Sequence, residues 1–246
     1  MKRRRPGRRE LRAIDLFCGA GGSSWGAKAA GVNIVAAFDR WSIARETHKA
    51  NFPQSKFFGG RLENVRINKV KKQIGKIDLI LASPECTNHS PAKGSKPRCE
   101  TSKNTAFQVV RFARAFKPRW IVVENVVSMS RWSRFAEFKR KLEKLGYKLR
   151  EEKLNSLHFG VAQSRRRLFL LCDRKRTPLE VPGPRLRKGR KAFDVIDMNG
   201  TYNYSRLGCK RRAKPTLKRA NRALRKLGRK RPFLFSGVTV VGIKRS

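Results

Sequence analysis

Acidic side chains are scarce in this sequence. Seventeen Asp and Glu stand against 61 Lys and Arg in 246 residues, a formal net charge of +44 with a pI near 11.6. Self-repulsion of that size needs counterions or a polyanion to offset it. Nucleic acid is therefore the expected partner, bound through its phosphates. A surface merely coated with Lys and Arg would explain the charge, but not the residues gathered around Cys86. Cysteine is also sparse: five residues, at 18, 86, 99, 172 and 209, odd in number and without a CxxC pair. That argues against a disulfide framework and for a reducing compartment. Cys86-x-x-His89 with Cys99 offers three groups of the zinc-ligand type, but no second matched pair follows, so no metal is expected. Long apolar runs are missing too, which excludes a membrane-spanning helix. The basic start MKRRRPGRRE is followed by no uninterrupted apolar region of the signal-peptide kind. The expectation is a soluble, cytoplasmic protein. No internal repeat is found.

Apolar content of 39% can support a real core, and strand and helix signals alternate. "RAIDLF" (12–17) reads as a short strand running into the glycine-rich turn "CGAGG" and a helix that ends near Gly31. "NIVAAFD" (33–39) is a second strand, and "WSIARETHKANF" (41–52) has helical spacing. "KIDLILA" (76–82) is another strand, after a stretch of weak signal. "NTAFQVVRFARAF" (104–116) reads as a helix, "RWIVVEN" (119–125) as a buried strand, and "RFAEFKRKLEKLGY" (134–147) as an amphipathic helix closed by Gly146. Two further strands, "YKLREEKLNS" and "RRRLFLLCD", flank "LHFGVAQS". This alternation predicts an α/β fold, a doubly wound, mostly parallel sheet, with a small basic C-terminal extension. The expected division is a basic arm (1–10), one α/β domain (11–175) and a basic extension (176–246). Within the extension, "KPTLKRANRALRKLGRKRP" reads as a basic helix and "FLFSGVTVVGIKRS" as a strand.

Ligands of such sheets sit beyond the carboxyl ends of the strands. Asp15 to Phe17, Asp39, Ser83 to Cys86 and Glu124-Asn125 all fall at strand ends, so the fold is expected to gather them on one rim. A glycine-rich turn between strand and helix allows close backbone approach and offers amides to a polar, nucleotide-like ligand. Asp39, at the end of the next strand, suits the two hydroxyls of a ribose.

Four segments in order, "DLFCGAGG" (15–22), "SPECTNHS" (83–90), "ENV" (124–126) and "QSRRR" (163–167), resemble the DNA cytosine-5 methyltransferases, which use S-adenosylmethionine. The resemblance implies a Rossmann-like methyltransferase fold and methylation of DNA, as in restriction–modification systems. It implies that Asp15, Phe17, Gly19 and Gly21 form the cofactor pocket and that Asp39 holds its ribose. It implies Cys86 as the nucleophile, Glu124 as its partner on the base and Arg165 as a further contact to that base. Carbon 5 of cytosine is a poor nucleophile, and a thiolate adding at carbon 6 makes it enamine-like; cysteine combines the nucleophilicity with reversible departure. The target atom is hidden in a duplex, so the base must be flipped out or presented single-stranded.

The chain departs from the family pattern at three points. Glu85 holds the place of a proline before the nucleophile. Arg61 stands where an acidic residue usually meets the adenine amino group. The closing segment that returns to the cofactor pocket is not found, so the chain reads as truncated and a complementing polypeptide is an expected partner. RNA in place of DNA, and a non-catalytic nucleic-acid-binding role, are the alternatives carried forward.

Overall fold

The computed structural model describes residues 9–85 and 104–183. The chain divides into two compact units, Met1–Ala192 and Phe193–Ser246, and all described residues belong to the first. The reading of residues 176–246 as a basic extension falls almost wholly outside them. Seven strands form one sheet: β1 (Leu11–Leu16), β2 (Val32–Asp39), β3 (Lys56–Gly59), β4 (Leu79–Ala82), β5 (Trp120–Val126), β6 (Lys148–Asn155) and β7 (Arg166–Asp173), in spatial order β3-β2-β1-β4-β5-β7-β6. The pairs from β3 through to β5 are parallel, and β7 runs antiparallel to both β5 and β6. The sheet is thus doubly wound and mostly parallel, as expected.

Central strands of a parallel sheet are covered on both faces and so read as nearly continuous apolar runs. β1 obeys this, with Ala13, Ile14 and Leu16 fully buried. The covering helices are α1 (Gly22–Ala29), α2 (Ser42–Asn51), α3 (Ile67–Ile74), α4 (Phe107–Phe116) and α5 (Phe135–Glu143). The main core joins Ile14, Phe38 and Ile80 of the sheet to Val70 of α3, Phe112 of α4 and Phe138 of α5. Burying a side chain such as Phe112 contributes about 1.5–3 kcal/mol. Gly146 adopts φ 86 and ends the turn after α5, its N–H bonded to the Glu143 carbonyl at 2.8 Å.

Two elements lay in the stretch of weak sequence signal: β3 and α3. β3 has only four residues. α3 buries Ile67, Val70 and Ile74, which is helical spacing among lysines. Cys18 and Cys172 are buried thiols. No helix among the described residues is long and apolar enough to cross a membrane.

The strand order reverses between β1 and β4. The crevice at their carboxyl ends is the switch point where such sheets take ligands. Leu16–Phe17, Asp39, Ser83–Glu85 and Glu124–Val126 all reach that rim. Because β7 runs the other way, its first residues, Arg166 and Arg167, reach the same rim.

Candidate active site

The chain leaves β1 through a backbone path that ordinary side chains resist. Phe17 has φ 58, Gly19 φ 50 and Gly21 φ 96. A left-handed phenylalanine costs about 1–2 kcal/mol and marks a site where the surroundings hold the backbone in place. Gly21 is the N-cap of α1, and a Cβ there would lie 3.0 Å from Phe52 and 3.1 Å from His48. Gly19 differs: a Cβ there would meet nothing within 4 Å among the described residues. Its N–H donates to Asp39 Oδ2 at 2.9 Å, and Trp41 N–H donates to Asp39 Oδ1 at 2.9 Å. Each carboxylate oxygen keeps a lone pair for another donor. Trp41, two residues on, is 58% exposed. A left-handed backbone turn, a half-buried carboxylate and an uncovered indole fit a ligand with a ribose and an aromatic base.

Asp15 sits beneath this turn and not in the opening. Its carboxylate is fully buried and accepts from Ser24 Oγ at 2.6 Å. Ser24 Oγ also lies 3.2 Å from His48 Nε2, and His48 stacks on Phe52. Asp15 Oδ1 and His48 Nδ1 are buried with no hydrogen-bond partner among the described residues. Burial pushes the Asp15 carboxyl up to about 6 and moves the His48 imidazole below its ordinary value. The three side chains bind β1, α1 and α2 together under the glycine turn.

At the end of β4, Ser83 N–H donates to the Leu16 carbonyl at 3.0 Å and Ser83 Oγ lies 3.4 Å from Ser23 Oγ. Glu85 pairs with Arg40 at 3.1 Å. Cys86 follows directly in sequence and lies outside the described residues, as do His89 and Cys99. Asn125 is buried and reaches back: its Nδ2 donates to the Pro84 carbonyl at 3.0 Å, while its Oδ1 accepts from Val126 N–H at 2.8 Å. Glu124 is paired with Arg167 at 2.9 Å, a contact set by the antiparallel register that places Arg167 opposite Val126. Arg165 is exposed, just before β7, and its N–H donates to Asn155 Oδ1 at 2.9 Å. The structure brings Phe17, Gly19, Gly21, Asp39, Glu124 and Arg165 to one rim. It gives the rim residue Asn125 a tie to Pro84, and it adds Trp41, Arg40 and Arg167, which the sequence leaves unassigned or on a charged face. The spacing of Arg165 and Arg167, two apart at a strand start, was the available signal for the last of these.

The loop between β6 and β7 is closed on itself. Ser156 Oγ donates to the Gln163 carbonyl at 2.6 Å, and Asn155 Nδ2 to Ser164 Oγ at 3.1 Å. Leu157 N–H donates to Asn155 Oδ1 at 3.2 Å. Ser156 N–H bonds the Arg165 carbonyl at 3.1 Å and Val161 N–H the Ser156 carbonyl at 3.2 Å. Among the described residues no group of three His, Cys, Asp or Glu stands close enough to hold a metal ion.

The sequence model of the C-5 cytosine-specific DNA methylases matches residues 11–225. The type II methyltransferase M.AgeI of Thalassovita gelatinovora is 29% identical over 195 residues, 76% of this chain and 45% of that protein. M.XorII of Xanthomonas oryzae is 33% identical over 196 residues, 75% of this chain and 46% of that protein. The chain spans about half the length of the curated relatives it matches. Among solved structures, the Entamoeba histolytica methyltransferase EhMeth superposes with a TM-score of 0.61 at 21% identity, over 80% of this chain and 62% of that one. The S. pombe Dnmt2 methyltransferase gives 0.58 at 20% identity, over 70% and 52%. These likenesses show the same fold.

Proposed function

The chain belongs to the C-5 cytosine-specific DNA methylase family, and from that premise we propose that it transfers a methyl group from S-adenosylmethionine to carbon 5 of cytosine in DNA, with Cys86 as nucleophile. One observation carries the reading. The Gly19–Asp39 cradle stands at the ends of β1 and β2 and the Glu124–Arg167 pair at the end of β5. The segment that continues into Cys86 leaves β4, the strand between β1 and β5.

When bound, S-adenosylmethionine supplies the methyl group as a sulfonium electrophile. The left-handed turn from Phe17 to Gly21 makes room for it. Asp39 accepts from the ribose hydroxyls, and Trp41 offers an uncovered ring to the adenine. The Cys86 thiolate bonds to carbon 6 of the cytosine, and the displaced ring electrons make carbon 5 the nucleophile. Once the methyl–sulfur bond has broken, leaving the thioether, and carbon 5 carries the methyl, its proton leaves to a base, the ring double bond re-forms and the thiolate is expelled. Glu124 holds the N3 and amino edge of the ring, kept in place by Arg167, and Arg165 meets the same base from the neighbouring loop. Asp15 acts from below, fixing the turn through Ser24.

Methyl transfer from radiolabelled S-adenosylmethionine, run in parallel on DNA and RNA, tests this. Label in DNA as 5-methylcytosine is expected, and Cys86→Ala is expected to abolish it while leaving DNA binding intact. Label in RNA alone reassigns the substrate. Activity retained by the Cys86 variant rules out the nucleophile, and salt-sensitive binding without transfer to either polymer leaves a non-catalytic binding protein.

A further inference from the structure

The loop that joins β6 to β7 carries a feature the reaction does not need. Its two outermost apolar side chains, Phe159 and Val161, are 46% and 49% exposed and flank Gly160 at φ 86. A slack loop would fold such side chains inward to remove apolar area from water. This loop cannot, because the bonds from Asn155 and Ser156 to residues 157, 161, 163, 164 and 165 tie both limbs together. The result is a stiff projection with an apolar tip.

Its position indicates what the tip meets. The antiparallel register sets Asn155 opposite Arg166 and Arg167 opposite Val126, so the loop leaves the sheet at the rim that holds Glu124. Its return limb carries Arg165 and Arg166, both exposed. Exposed guanidinium-bearing residues on the return limb and an exposed aromatic ring at the tip, on a chain of net charge +44, complement a strand with phosphates on its outside and π-faces within. Extrusion of a target base also leaves its neighbours unstacked.

We propose that the 156–165 loop is a strand-gripping finger: Phe159 and Val161 pack on unpaired bases beside the target, and Arg166, exposed at the start of β7, holds a phosphate. The proposal rests on the reading of this rim as a nucleic-acid site, but not on methyl transfer.

The test is equilibrium binding of the full chain to single-stranded and fully paired oligonucleotides over a range of salt. Phe159→Ala is expected to weaken single-strand binding about tenfold at every salt concentration, the size of one lost base–aromatic stack. Because no phosphate contact is removed, the slope of log affinity against log salt stays that of the parent. Phe159→Trp is expected to restore affinity, and binding to the paired duplex is expected to change less than twofold. Single strands substituted with 5-iodocytosine should photo-crosslink to Phe159, mapped by mass spectrometry. Unchanged single-strand affinity in Phe159→Ala and in Val161→Ser overturns the proposal. So does a lowered melting temperature or altered sedimentation with affinity intact, since the tip would then cover another part of the chain or a second copy. A parent chain that binds no nucleic acid overturns it together with the reading of the rim. A parent that binds but transfers no methyl group, with Phe159-sensitive affinity, supports it while the reaction falls.

Discussion

Asp15 is a fully buried aspartate. Its carboxyl is raised from 3.8 to about 6 chiefly by burial, against the lowering effect of Ser24. A folded-state value above the unfolded one means that the folded chain holds the proton longer as pH rises. Stability is therefore greatest below the unfolded value and is lost as pH climbs through the folded one, on the order of 3 kcal/mol across the interval. His48 runs the other way: its lowered value favours the neutral ring, and stability is lost as pH falls below the ordinary imidazole range. Other groups titrate in the same window, so the informative quantity is a difference between variants. Asp15→Asn retains an acceptor for Ser24 but has nothing to ionise. Urea unfolding from pH 4 to 7 should show the parent declining relative to Asp15→Asn; parallel profiles would mean that this carboxyl is not held protonated. The same residue shows how far a motif can be read. "DLFCGAGG" marks the turn, and the family resemblance groups Asp15 with the cofactor pocket. Its side chain is instead committed to Ser24 and His48, on elements that the motif does not describe.

At the scale of elements, the rim is a set of strand ends tied to each other by side chains. Asn125 joins β5 to the Pro84 carbonyl, two residues before Cys86. Asn125→Ala leaves that carbonyl and Val126 N–H short of a partner, a cost of about 1–3 kcal/mol for a buried group. The expected kinetic signature is a fall in kcat larger than any rise in KM for S-adenosylmethionine, since Asn125 touches no part of the cofactor cradle; a pure KM effect would place it elsewhere. Arg40 joins β2 to Glu85, the residue that stands where the family has proline. The pair is half open to water and worth under about 1 kcal/mol in stability. Its consequence is electrostatic: Arg40→Met leaves the Glu85 charge less compensated beside Cys86, which disfavours the thiolate. Alkylation of Cys86 by iodoacetamide, followed by peptide mass spectrometry, should need higher pH in Arg40→Met and return toward the parent in Arg40→Met with Glu85→Gln. Identical profiles in all three would remove the role. Strands such as "RAIDLF" and "RWIVVEN" were legible because strands covered on both faces are apolar throughout. β3 was too short to register. α3 hid its Ile67, Val70 and Ile74 among lysines, although their spacing is helical. The ties themselves were not legible. Arg40 and Glu85, Pro84 and Asn125, Glu124 and Arg167 are each more than forty residues apart, and a sequence shows where a strand ends without showing which ends are neighbours.

For the whole molecule, charge decides more than any pair. If every one of the 17 acids took one cation, the remaining excess would still be the net +44. After Asp197 the sequence contains no acid at all. Phosphate contacts give affinity and position but no sequence information, whereas base contacts specify. A chain with this charge should therefore bind nucleic acid strongly, with most of the affinity coming from phosphates rather than from bases. Each neutralised phosphate contributes about −0.9 to the slope of log affinity against log salt on duplex DNA. With roughly 6–10 such contacts, affinity should fall about 10³–10⁵-fold between 50 and 200 mM salt. Fluorescence anisotropy on two duplexes of unrelated sequence should give the same steep line for both. If a complementing polypeptide supplies base contacts, adding it should separate the two lines vertically and leave their slopes parallel, since new specificity needs no new phosphates. A response nearly flat in salt would mean that the lysines and arginines are not spent on a polyanion, and the charge would then be no guide to the partner.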